Sequence, residues 1–345
     1  MAAYTRTTAK KKEPHSYKRI QAELKEDSLK NILLISGREK YLIRWACEQI
    51  RKKYVMPAAE FFDFVKIDGA SDEALRIPEI CETLPMMSEK RVVLVTDFDE
   101  SSGRGDELAG YMKDFPQSTV LILLCSSVDR RKKLYKAAAK YGSYYDFDRL
   151  DPPLLRSFIA KRFRAAKKEF DPDLCSYFIE VCGYYDRDSD YTLDHLVNDI
   201  AKTAAHSGNR ITAEDIENTV ISSAERDVFA FSDALSSGRK GEALRILRSL
   251  LDGGENVFRL LGLICSQFET ILSVLEMRSD GMNPAQMKEV LKIHEYRIKK
   301  ALGAASGYDV AELRNVLMKA YEADRNIKTG LTEAETALEL FVAGV

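Results

Sequence analysis

The sequence predicts an α/β N-terminal domain, a mostly parallel sheet with helices on both faces, followed by two all-α domains. Three observations carry this. From Asn31 to about Arg149, short apolar runs alternate with stretches of helical period, the pattern of strand–helix units. At Leu150-Asp151-Pro152-Pro153 the periodicity changes, and proline in a first helical turn costs nothing because its missing N–H would have no partner there. Beyond that point no convincing strand follows. The 345 residues, 45% hydrophobic and 31% charged, suffice for two or three separate cores.

Ile32-Leu33-Leu34-Ile35-Ser36, closed by Gly37, is a continuous apolar run that suits a strand buried on both faces. Tyr41, Leu42, Trp45, Ala46, Gln49 and Ile50 then recur at helical spacing. Phe61 to Ile67 reads as the second strand, Asp72 to Cys81 as a helix, and Arg91 to Thr96 as the third strand. Gly105 to Phe115 is helical, Thr119 to Ser126 is the fourth strand, Arg130 to Tyr141 is helical, and Tyr144 to Phe147 is a short fifth strand. After Pro152, stripes led by Leu155, Leu174 and Leu193 predict three helices, and Thr212 with Asp215 in its first turn marks a further helix start. From Asp227 the chain is helical throughout, punctuated by Gly253-Gly254, Gly281 and Gly307. The expected division is a basic disordered arm over 1–16, the α/β domain over 17–150, a three-helix domain over 151–222 and a helical domain over 223–345.

A net charge of −2 gives the whole chain no nucleic-acid footprint, although Arg6, Lys10, Lys11, Lys12, Lys18 and Arg19 face only Glu13 near the start. The first 13 residues lack an apolar core of the secretory kind, and no run of 18 apolar residues occurs, so a cytoplasmic protein without membrane contact is expected. Six cysteines stand singly within apolar patterns, as reduced thiols do. The four histidines lack metal-ligand spacing, and no Gly-x-Ser-x-Gly elbow is present, so no metal and no catalytic residue is expected.

A strand, a glycine and a helix is where a phosphate-binding loop would lie. That loop needs a second glycine followed by Lys and Ser or Thr, whose amides, ammonium and hydroxyl hold the phosphates and Mg²⁺. Here the residues are Ser36-Gly37-Arg38-Glu39-Lys40-Tyr41, with an acid near the phosphate position and Tyr after the lysine. Nucleotide binding in the usual manner is not expected, and no cofactor is assigned. Asp97, Asp99 and Glu100 after the third strand then read as loop solvation and helix capping rather than Mg²⁺ ligands. A nucleotide fold without nucleotide chemistry points to a scaffold or binding subunit.

Leu84-Pro85-Met86-Met87 is an apolar knob in a connection that would ordinarily be polar. Such a loop either folds back into the core, where Met fills gaps, or is held out for a partner.

These residues, in this order, resemble the delta-subunit family of bacterial DNA polymerase III, a component of the sliding-clamp loader. The resemblance runs from about residue 17 to the end. Leu33 to Ile43 is similar to the family's opening strand and acid-containing turn, Thr83 to Arg91 to its clamp-binding segment, Val228 to Leu235 to the start of its third domain, and Ala323 to Gly330 to its late signature. The resemblance implies an AAA+-like module, a helical lid and an oligomerising collar, in a subunit that neither binds nor hydrolyses ATP. It implies that Leu84, Pro85, Met86 and Met87 bind the sliding clamp (beta subunit), with Met86 and Met87 as the hydrophobic pair that enters the clamp and holds an interface open. Other loader subunits would bind through the collar, with primed DNA inside the assembly. The apolar stripe from Leu244 to Ile271, Phe258 included, reads as core or as collar contact, and Lys328 as a cation near a helix end at Gly330.

Arg156, Lys161, Arg164 and Lys168 on the first lid helix form a basic face, either solvated or tracking DNA phosphates. Arg130 to Lys133 are a second basic cluster with the same two readings. Two other classes compete with the clamp-opening reading: an ATP-driven AAA+ remodelling or initiation protein, and a DNA-binding regulator.

Overall fold

The computed structural model describes residues 14–99, 103–185, 189–220 and 223–345. The basic run from Arg6 to Glu13 lies outside them. Five strands, β1 (Ile32–Ser36), β2 (Phe64–Asp68), β3 (Arg91–Thr96), β4 (Thr119–Leu124) and β5 (Ser143–Asp146), form one sheet in the order β2-β3-β4-β1-β5. Every neighbouring pair is parallel, with Leu34 opposite Leu123 on one side and Tyr144 on the other. All five residues of β1 are buried, which is why its sequence is a continuous apolar run rather than an alternating one. The apolar side chains of one sheet face pack with those of the helices Ile77–Glu82, Arg104–Tyr111 and Lys133–Tyr141 in a cluster that includes Ile32, Val93, Leu121, Cys81, Leu108 and Leu134.

The chain divides into two compact units: one runs up to Leu155 and includes Asp190–Leu196, and the other comprises Arg156–Ser189 with Val197–Val345. A helix that the sequence pattern did not reveal, Ser16–Glu26, belongs to the first unit. The His15 side chain caps it by accepting from the Tyr17 amide, Ile20 is fully buried, and the Tyr17 ring lies 4.8 Å from Trp45.

The expected second strand is shorter than its apolar run. Pro57 starts a 3-10 turn, Glu60–Asp63 continues as a helical turn, and extended structure begins only at Phe64. Phe61 and Phe62 therefore stand at the surface instead of in the sheet. Asp97 and Asp99 are exposed, and the helix Arg104–Tyr111 is preceded by Gly103 without a side-chain cap; Glu100 lies outside the described residues.

In the second unit the described residues are helical, apart from loops and one bridge between Glu169 and Arg210. Thr212 and Asp215 form the expected reciprocal cap: each backbone N–H donates to the other's side-chain oxygen. One core gathers Phe231, Leu247, Leu261, Phe268, Leu313 and Phe341 with their neighbours. Val257–Ser279 is long and apolar enough to cross a membrane, but Leu260, Leu261, Ile264, Phe268, Ile271, Val274 and Leu275 are spent on that core. Phe258 departs from the core reading and is about half exposed. Lys328 stands in the last turn of the helix Val310–Lys328, as expected of a cation near a helix end, and there also pairs with Asp324 at 2.7 Å and lies 6.0 Å from the Phe258 ring. Within this same unit, Glu180 accepts from the His294 amide and Arg297, and Glu217 accepts from Tyr296 and Lys300, tying the three-helix segment to the later helices.

Candidate functional site

The knob between the helix Ile77–Glu82 and β3 is built outward. Leu84, Met86 and Met87 are 69, 67 and 61% exposed, while Pro85 is half-buried beneath them. The core reading therefore fails for these three side chains, which form an exposed apolar cluster on a connecting loop.

What holds the loop is Asp63. Its side chain is fully buried, and its carboxylate accepts the N–H of Met86 at 2.7 Å, of Met87 at 3.1 Å and of Ser88 at 2.9 Å. Burial alone pushes a carboxyl upward, but these bonds and the Ser88 hydroxyl overcome it and hold the Asp63 pKa down at about 2. Three successive amides aimed at one anion turn the loop backbone inward, so the side chains of Met86 and Met87 have nowhere to go but solvent. Two further ties brace the arrangement: the Met56 amide donates to the Ser88 hydroxyl at 3.0 Å, and Arg91 donates to the Phe62 carbonyl at 2.9 Å. Sequence reasoning missed Asp63 because its partners lie 23 to 25 residues downstream. The usable signal was an acid in an otherwise apolar run.

The turn after β1 does something different from cradling a phosphate. Gly37 sits at φ +131°, and a Cβ there would stand 2.4 Å from the Phe147 carbonyl oxygen. The Glu39 amide donates to that same carbonyl at 2.8 Å. The Glu39 side chain is fully buried and accepts the Leu193 amide at 2.8 Å, at the start of the helix Leu193–His206. Helix N-termini favour anions, and here the chain supplies its own. The residues present do not fit a nucleotide phosphate.

The basic residues separate into two kinds. Arg156, Lys161 and Arg164 are exposed on their helix. Lys168 is half-buried and donates to the carbonyls of Ser207 and Gly208 at 2.9 and 2.8 Å, which neutralises the end of the helix Leu193–His206. In the other cluster, Arg131 pairs with Asp129 and Lys133 with Asp106, while Arg130 stacks near Tyr135 and Tyr144. Among the described residues no group of three His, Cys, Asp or Glu side chains gathers as a metal site.

Comparison with known proteins gives a consistent family. The family model described as DNA polymerase III, delta subunit, matches residues 33–147, and a second one, for the C-terminal domain of the DNA polymerase III delta subunit, matches residues 225–345. The chain is 25% identical over 336 residues to DNA polymerase III subunit delta of Bacillus subtilis (strain 168), covering 94% of this chain and 95% of the relative. Among solved structures, it is similar to the Bacillus subtilis DNA clamp loader delta protein YqeN, at 23% identity and TM-score 0.48 over 95% of this chain and 98% of that one. It is also similar to a DNA polymerase III gamma subunit-related protein of Thermotoga maritima, at 11% identity and TM-score 0.36 over 95% of this chain and 97% of that one.

Proposed function

Since the chain belongs to the DNA polymerase III delta-subunit family, with a role in replication clamp loading, we propose that it binds the sliding clamp through Leu84, Pro85, Met86 and Met87 and holds the ring open. The observation that carries this reading is the outward presentation of Met86 and Met87 on a loop fastened by Asp63. Opening in this way requires no covalent step. A partner shifts a two-state equilibrium by as much as it prefers one state, and moving it from 1:99 to 99:1 takes about 5.5 kcal/mol. Burying two Met side chains contributes about 3–6 kcal/mol, so a pocket formed only in the open ring would supply most of what is needed. Preordering of the loop lowers the entropic cost of docking.

In this reading residues 17–150 are the clamp-binding AAA+-like module, 151–222 the lid and 223–345 the collar that meets other loader subunits. Half-exposed Phe258 and exposed Leu331 and Leu340 are surface apolar groups available to that contact. Arg156, Lys161 and Arg164 are the residues for primed-DNA phosphates, whereas Lys168, expected on the same helix, lies beyond its end at Ala165 and is used on the Ser207 and Gly208 carbonyls. The role of an ATP-driven motor is disfavoured by buried Glu39 and by the contact of Gly37 with Phe147.

The test is a pull-down of the cognate clamp with the full chain and with Met86→Ala/Met87→Ala, combined with release of clamp from circular DNA. Loss of both capture and release, with an unchanged melting temperature, is the expected result. Capture by the double variant at wild-type strength would refute the assignment.

A further inference from the structure

Phe61 is 90% exposed and Phe62 about half exposed, the two rings meeting edge to face at 5.3 Å. An aromatic side chain carries roughly 150–250 Å² of apolar surface, and leaving Phe61 in water contributes nothing to the fold. We propose that the Phe61–Phe62 pair is a second clamp-contacting element, one continuous docking surface with Met86 and Met87. This inference rests on the clamp-binding reading above and extends it to a segment about 25 residues upstream.

Continuity argues for the single occupant. Phe62 precedes Asp63, whose carboxylate holds the amides of Met86, Met87 and Ser88. Arg91, at the far end of the same loop, is anchored on the Phe62 carbonyl. The helical turn and the knob are therefore fastened at three points, counting Met56 on Ser88, and present their apolar groups as one body. Charged groups border it: Glu60, next to Phe61, pairs with Arg51, which also pairs with Glu48. An apolar centre with a charged margin is the anatomy of a protein interface, where aromatic anchors carry much of the affinity. Moreover, the pair costs little entropy on docking, since phenylalanine has two side-chain torsions and the backbone beneath it is already pinned.

The experiment measures clamp affinity and dissociation rate by surface-immobilised clamp for the full chain, Phe61→Ala, and Met86→Ala/Met87→Ala, with melting temperatures and sedimentation of each chain alone. Phe61→Ala is expected to weaken binding by about tenfold, mainly through faster dissociation, at an unchanged melting temperature. Wild-type affinity for Phe61→Ala beside weakened binding by the Met variant overturns this inference and leaves the clamp reading standing. Wild-type affinity for both variants overturns both. A concentration-dependent dimer of the chain that Phe61→Ala abolishes assigns the aromatic pair to self-association and also overturns the inference.

Discussion

Replacing Asp63 with asparagine should unfasten the knob without touching an exposed side chain. A carboxyl held at about 2 rather than its ordinary 3.8 makes the ionised form worth about 2 kcal/mol to the folded chain at neutral pH. The figure stays below three full hydrogen bonds because burial of the carboxylate works against them. The sign follows from the lowered pKa. The contribution is fully present above about pH 4 and is lost as pH falls toward 2, so wild type and Asp63→Asn should converge in acid. Denaturant titration at a series of pH values reads the gap, and amide hydrogen exchange locates it. If the first unit melts on its own, a loss of about 2 kcal/mol lowers its melting temperature by about 4–8 °C. Exchange at Met86, Met87 and Ser88 as slow in the variant as in wild type would refute the role given to Asp63. So would a stability gap that does not change between about pH 7 and about pH 3.

Gly37→Ala should lower stability by several kcal/mol, because the backbone sits at φ +131° and the added methyl would meet the Phe147 carbonyl at 2.4 Å; thermal melting checks it. Burial raises the thiol of Cys81 to about 12 and of Cys175 to about 11, and both are buried in the fold, so these two should react with a thiol reagent at about pH 8 only after denaturant is added. Lys168→Ala should cost about 1–3 kcal/mol by leaving the Ser207 and Gly208 carbonyls without their cation, whereas exposed Arg164→Ala should stay within about 0.5 kcal/mol. If the basic face contacts DNA, Arg164→Ala should in addition weaken duplex binding by the assembled loader and reduce its salt dependence, and Lys168→Ala should not.

Where a residue's environment is set by its near neighbours in sequence, the structure could be read in advance. β1, β3 and β4 are buried on both faces, and their unbroken apolar runs say so. The helices Lys240–Asp252 and Val257–Ser279 announce themselves through glycines and period. The region around Asp63 could not be read in the same way. Phe61 and Phe62 look like strand residues by composition, yet they belong to a helical turn whose purpose is to deliver a carboxylate to a loop far along the chain. Helix Ser16–Glu26 was hidden for a related reason: its hold on the first unit comes from Ile20 and from contacts such as Tyr17 with Trp45, not from a strong apolar face of its own. The position of Met86 and Met87 was visible because four apolar residues in a connecting loop violate the usual chemistry of loops; what steers them outward was not.

Glu39 shapes how the protein behaves over time. A phosphate arrives and departs, and a fold that waits for one has a before and an after. A carboxylate joined to its own backbone and sealed against the Leu193 amide offers no such sequence of events, so this corner of the chain keeps no clock. Any timing in a clamp loader built around this chain would then have to come from another subunit.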